Sequence, residues 1–352
     1  MIFLALIAGG YQLFAIFACL FRKRQQPGAS RPASILKPVR GCDAGFRDAI
    51  ASHVALHGDF ELLCGVASLD DPPVAVIREF PRVRIVECRT KTPNAKVGVL
   101  QDLAAAAKYP ILVVNDADIR VEPDYLARVT APLADPGVGL VTCLYRPNGE
   151  TFAARFEGLG VSTDFAPSTL VARMVGVDEF AMGSTMAFRR ADLDRIGGFA
   201  PIGDYLADDY QLGHRIHSLG LKCVLSDVIV ETHLGGSWAD VWRHQIRWAR
   251  TIRVSKFWGY LGLPVTFATF WAGVMFLAGR PDLAIAVLAL RIAMALISGW
   301  LVMRSRDVLW LFWAIPLRDL FAVAVWLLGS FGRTVIWRGQ RLTLDADGRI
   351  LR

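Results

Sequence analysis

The chain opens with an uncharged apolar run, residues 2 to 21, long enough to cross a bilayer as a helix. Three more apolar stretches close it, at about 257–279, 283–303 and 308–331. Between these ends the pattern changes. Short apolar runs alternate with helix-length segments: Ser34-Ile35-Leu36, Glu61 to Val66, Val83 to Cys88, Ile111 to Val114 and Val138 to Leu144. Such runs are too short for helices, and the β-branched ones suit strands buried on both faces, so the alternation predicts an α/β unit with a mostly parallel sheet. From 146 to 235 the pattern is less regular. It predicts a strand over Ala181 to Phe188, a helix starting near Asp208 and a short strand pair within Lys222 to Val230. Residues 238 to 256 read as a helix on which Trp238, Trp242 and Trp248 mix with Arg243, Arg247, Arg250 and Arg253. Indole and guanidinium groups on one helix suit the membrane interface.

The expected organisation is therefore an anchor at 1–22, an α/β unit at 33–235, an interfacial helix at 236–256, transmembrane or re-entrant helices at 257–331 and a basic tail at 332–352. Of the three C-terminal apolar stretches only the first is free of charge. Arg291 interrupts the second, and Pro316, Arg318 and Asp319 interrupt the third. Charge at membrane depth is costly unless paired or facing a cavity, so the third is expected to be re-entrant or interfacial, beside two full crossings. Arg22-Lys23-Arg24 follow the anchor directly, which places the α/β unit in the cytoplasm. The anchor is expected to stay attached, because no basic segment precedes it and no Ala-x-Ala cleavage pattern follows.

A hydrophobic content of 54% agrees with a chain partly in lipid. The net charge of +7 does not point to nucleic acid, because the basic clusters flank apolar segments, where they meet anionic headgroups. Six scattered cysteines without a C-x-x-C pair suggest neither a zinc site nor a disulfide framework, and fit a reducing cytosol.

Three clusters carry candidate chemistry. Asp116-Ala117-Asp118 follows the run Ile111 to Val114, and carboxylates at the carboxyl end of a parallel strand lie where open α/β sheets bind ligands. They can hold a divalent cation shared with phosphate oxygens, although the tripeptide alone also serves as a helix cap or solvated turn. Asp208-Asp209 precedes a helical run, so one of the pair is either an N-cap or a general base whose pKa its neighbour raises. His244, Arg247 and Trp248 share a helix face. That face can hold a diphosphate leaving group and the rim of an acceptor, or simply anchor the helix at the interface.

The segments Ser34-Ile35-Leu36-Lys37-Pro38, Asn115 to Val121, Tyr205-Leu206-Ala207-Asp208-Asp209-Tyr210 and His244-Gln245-Ile246-Arg247-Trp248 occur in an order that resembles the successive signatures of the ceramide glucosyltransferase family. These are inverting glycosyltransferases of the GT-A, Rossmann-like fold. Within the family the bacterial hopanoid-biosynthesis-associated glycosyltransferases look most similar, sharing Tyr-Leu-Ala-Asp-Asp-Tyr and the run Arg247 to Arg253. The resemblance extends to Trp337-Arg338-Gly339 and implies roles for single residues. Asp116 and Asp118 would contact the nucleotide and a bound Mg²⁺ or Mn²⁺. Asp209, with Asp208 beside it, would deprotonate the acceptor. Arg247 and Trp248 would serve the last motif, in which His244 stands where many relatives have Gln. Lys96, in a stretch with Asn94, would meet a phosphate unless it is an ordinary solvated lysine, and Gly183 would let the acceptor approach the backbone. Ser68 occupies the place of an aspartate that usually holds the base and ribose, and Asp70 or Asp71 would substitute.

The implied activity is transfer of a hexose or N-acetylhexosamine from a UDP-sugar to a hydroxyl of a membrane lipid, of ceramide or hopanoid type, at the cytoplasmic face of a bacterial inner membrane. The alternative is a catalytically inactive lipid-binding or scaffolding relative. A transporter leaves the long α/β segment unexplained and lacks inverted repeats. A processive polysaccharide synthase needs a larger membrane part than this.

Overall fold

A computed structural model describes residues 2–25 and 28–351, the side chain of Ile2 apart. The chain forms two compact units, one of residues 23–145 and 177–233, the other of residues 1–22, 146–176 and 234–351.

The first unit is built on a seven-stranded sheet. Its strands are β1 (Ala33–Pro38), β2 (Phe60–Val66), β3 (Val83–Glu87), β4 (Ile111–Val114), β5 (Val138–Gly149), β6 (Met186–Arg189) and β7 (Lys222–Leu234), in the order β3-β2-β1-β4-β6-β5-β7. The first four are parallel, with Ala33 level with Phe60 on one side and Ile111 on the other. The carboxyl ends of β2, β1 and β4 therefore share one edge. β6 runs antiparallel to both β4 and β5. All four residues of β4 are buried, Leu112 and Val114 in the core on one face of the sheet and Ile111 and Val113 in the core on the other. Burial of each such side chain stabilises by roughly 1.5–3 kcal/mol, which fixes register and direction.

Three local expectations change. β5 continues past Leu144 to Gly149. The strand expected from Ala181 starts at Met186, because Met182 and Thr185 close a turn. The pair expected within Lys222 to Val230 is one strand that runs on to Leu234.

The second unit contains three helical runs long and apolar enough to cross a membrane, Phe3–Leu20, Pro281–Val302 and Phe312–Gly329. The segments Phe257–Thr266 and Ala268–Leu277 meet the same measure together but are bent by 52°. The bend falls in the uncharged first stretch, while the third, expected to be re-entrant or interfacial, contains the membrane-length helix Phe312–Gly329. Pro264 lacks an amide hydrogen within a 3-10 turn there, and Phe267 leaves helical geometry at ψ 63°. Pro316 causes no break, since it lies in the first turn of the helix Ile315–Gly329, where that hydrogen is not needed. Of the charges in the third stretch, Asp319 is paired with Arg291 at 2.7 Å, whereas Arg318 donates one hydrogen bond to the neutral Gln245 at 2.9 Å.

The segment 146–176 belongs to this unit as a helical run whose middle, Val161–Phe165, is π-helical. The helix Trp238–Ser255 starts with a capping box, Ser237 and Asp240 exchanging side-chain and backbone hydrogen bonds, worth about 1 kcal/mol. The basic tail folds into a small antiparallel sheet of β8 (Thr334–Trp337), β9 (Gln340–Leu344) and β10 (Ile350–Leu351). Its two-residue turn, Arg338-Gly339, has φ of 47° and 76°, as a type I′ hairpin requires.

Candidate active site

The carboxyl edge of the parallel strands gathers the acidic residues. Asp116 and Asp118 follow β4 and remain partly exposed, and Thr232 of β7 donates its hydroxyl to Asp118. Asp208 and Asp209 form the first turn of the helix Asp208–His217, where the helix dipole favours negative charge. The N-cap position is Ala207, so neither aspartate is the N-cap residue. The Asp209 carboxylate instead accepts hydrogen bonds from the amides of Tyr210 at 2.8 Å and Gly183 at 3.0 Å.

Lys96 joins the two clusters. Its ammonium lies 2.8 Å from Asp116 and 3.0 Å from the buried Asp208. Asn94 holds that arrangement: its side chain accepts from the Lys96 amide at 3.1 Å and donates to the carbonyl of Tyr205 at 2.8 Å. Burial opposes the Lys96 charge, yet the carboxylates of Asp116, Asp208 and Asp209 hold its pKa above the ordinary range. Burial, with repulsion from Asp208, pushes Asp209 up to about 6. The Asp118 carboxyl is raised by burial and by Asp116.

Gly183 sits within this group. A Cβ there would lie 2.8 Å from an Asp116 oxygen and 3.2 Å from the Lys96 nitrogen, so only glycine leaves both uncovered. A buried polar layer fixes the loops from below. Lys37 donates to the carbonyls of Asp116 at 3.0 Å and Ile119 at 3.3 Å, and burial lowers its pKa to about 8. Asn115 donates to the Ser184 carbonyl at 2.7 Å and accepts from or faces His53 at 3.3 Å. Sequence reasoning did not find Thr232, His53 or the role of Lys37. A lysine inside the apolar run of β1 was the one available signal.

Ser68 and Asp71 lie in the turn after β2, on the same edge but two strands from Asp116. Asp71 accepts from the amides of Ala67 at 3.2 Å and Ser68 at 3.1 Å, so one of its oxygens shapes the turn. His244, Arg247 and Trp248 belong to the other unit. The His244 ring packs on Trp248 with centroids 4.4 Å apart, and its Nδ1 lies 2.7 Å from buried Glu157, which also accepts from Gln245 at 2.8 Å.

Among the described residues no group of three His, Cys, Asp or Glu side chains encloses a cation. Two hard carboxylates on one loop, Asp116 with an oxygen that Gly183 leaves open, fit a cation whose other ligands come from a diphosphate and water.

Residues 1–350 match the model of the family described as glycosyl transferase family 21. Ceramide glucosyltransferase 1 of Caenorhabditis elegans is 27% identical over 227 residues, 61% of this chain and 48% of that protein. A beta-monoglucosyldiacylglycerol synthase of Synechocystis is 27% identical over 49% of this chain and 36% of its own length. The chain thus spans about half or less of the curated relatives it matches. A mannosyltransferase of Pyrobaculum calidifontis, solved in complex with GDP-Man and Mn²⁺, superposes with a TM-score of 0.50 at 18% identity, covering 93% of this chain and 99% of that one, which shows a common GT-A-like fold. With that fold, the ordered acidic clusters on its sheet edge and a match along nearly its full length, the chain belongs to glycosyl transferase family 21.

Proposed function

We propose that this protein is an inverting glycosyltransferase that moves a hexose or N-acetylhexosamine from a UDP-sugar to the hydroxyl of a membrane lipid, at the cytoplasmic face. The observation that carries the reading is Asp209. Its carboxylate is aimed by two backbone amides, and its pKa near 6 leaves it ionised at neutral pH yet basic enough to take a proton. Inversion needs a base on one face of the sugar while the diphosphate leaves from the other. Asp209 is the base, Asp208 and Lys96 set its charge environment, and Gly183 keeps the approach open. Asp116 and Asp118 are the residues that would hold Mg²⁺ or Mn²⁺. Such an ion offsets charge developing on the leaving diphosphate. Ser68 and Asp71 face the nucleoside, and His244, Arg247 and Trp248 serve the leaving group or acceptor.

A lipid acceptor is supported by the three membrane-length helices and by relatives named for ceramide and diacylglycerol products. The orientation rests on Arg22-Lys23-Arg24 after the first helix. The test is incubation of membranes carrying the protein with radiolabelled UDP-sugars and a panel of ceramide, diacylglycerol and hopanoid polyol, followed by chromatography of extracted lipid. Labelled glycolipid is expected. Membrane association without transfer to any lipid would favour the inactive scaffold.

A further inference from the structure

Among the described residues, the second unit holds two opposite charges that no protein group completes. Arg318 lies inside the span Phe312–Gly329 and is 5% exposed. One of its terminal nitrogens donates to Gln245, but Nε and the other have no hydrogen-bond partner. Asp164 lies in the π-helical turn Val161–Phe165, with one oxygen bound by Arg291 at 2.8 Å and the other buried without a partner. The charges of Asp164 and Arg318 influence each other, yet no ion pair joins them. Ser162, two residues before Asp164, also has an unpartnered hydroxyl oxygen.

Buried charges with unpartnered atoms are expensive, and π-helical turns concentrate at functional sites. The surroundings hold the arrangement in place. Gly160 presents its bare α-carbon to the Arg318 guanidinium, Phe321 lies under that group with the ring centroid 5.4 Å away, and Arg291 is fixed by Asp319 and by the Thr163 carbonyl. Arg318 therefore cannot swing to Asp164 without losing these contacts. The Asp164 side chain is 29% exposed, while its unpartnered oxygen is buried.

We infer that Asp164 and Arg318 bind the polar head of a neutral, hydroxyl-bearing lipid. A head hydroxyl donates to the free Asp164 oxygen, and a hydroxyl or carbonyl oxygen of the same head accepts from Arg318. Charge selects this class. Asp164, Asp319 and Glu157 stand around Arg291 and Arg318, so an anionic phospholipid head meets a carboxylate and a cationic head meets a guanidinium. This deepens the proposed function, resting on its lipid acceptor, by naming the head chemistry and the residues that hold it.

The test measures binding of fluorescent ceramide and diacylglycerol, against a phosphatidylglycerol with the same label, to the full-length protein in detergent. Asp164→Asn and Arg318→Met are expected to raise the Kd for the neutral lipids at least tenfold, and to raise the acceptor KM while the donor KM holds. Unchanged neutral-lipid Kd in folded variants overturns the site, leaving a bridging water as the occupant. Preference of the wild type for phosphatidylglycerol overturns it too. If either variant fails to fold, Arg318→Lys, which keeps the charge but not the guanidinium, and Gly160→Ala, which displaces the guanidinium, decide by the same Kd. Transfer intact with unchanged Kd in the variants rejects this site alone. Neutral-lipid binding lost in the variants, without transfer by the wild type, supports the site and rejects the activity.

Discussion

Lys96 and Asp208 meet at 3.0 Å, each in the first turn of its own helix. Two helix N-termini thus point at one acidic cluster, and the single ammonium between them compensates carboxylates that would otherwise repel. The charge state of the proposed base depends on that contact.

Asp209→Asn is expected to lower kcat by roughly two to four orders of magnitude while donor binding persists, the usual worth of a positioned base. The wild-type rate should fall as pH drops through about 6, because protonation removes the base. Kinetics over pH 5 to 9 check both, and an active Asp209→Asn enzyme with an inactive Asp208→Asn one would reassign the role.

Replacing Lys96 by Met leaves buried Asp208 without its counter-ion, a change that typically costs about 3–5 kcal/mol. Lys96 also holds the Asp209 pKa down, so the acid limb of the rate profile should move to higher pH. Thermal melts and the same pH series read the two effects separately. An unmoved limb would detach Lys96 from the base.

Gly183→Ala places a methyl 2.8 Å from Asp116 and 3.2 Å from Lys96. Turnover is expected to drop at least tenfold with little change in Tm, because the crowding is confined to the open edge. Near-normal turnover in the alanine variant would show that the edge has room to spare.

Chelation should abolish transfer, and Mg²⁺ or Mn²⁺ should restore it; Asp118→Asn should need far more metal for the same rate. Metal titrations of activity, with donor binding measured in parallel, provide the check. Full activity in chelator removes the cation from the proposal.

Cys42 is the exposed thiol on the α/β unit, whereas Cys143 and Cys223 are buried. A membrane-impermeant maleimide is expected to label Cys42 only after permeabilisation, in a variant lacking the other cysteines. Labelling in sealed cells would reverse the orientation.

The bounds of β4, the start of the helix at Asp208 and the ordered acidic motifs were legible in the sequence, because each follows from local signals. An apolar run of four β-branched and leucine residues can bury two faces only as a strand, and its carboxyl end must then carry Asp116 and Asp118. Contacts between distant segments leave no such periodic trace. Thr232 on Asp118, Lys96 between two acidic clusters and the need for glycine at 183 arise from the packing of separate loops. The membrane unit shows the same division. Charge within the third apolar stretch suggested a re-entrant or interfacial segment, yet the stretch holds a membrane-length helix in which Asp319 pairs with Arg291 and Arg318 donates one hydrogen bond to Gln245, each partner coming from another helix. Hydropathy counts a charge where it stands in the chain, whereas its energetic cost depends on which partner the fold brings to it.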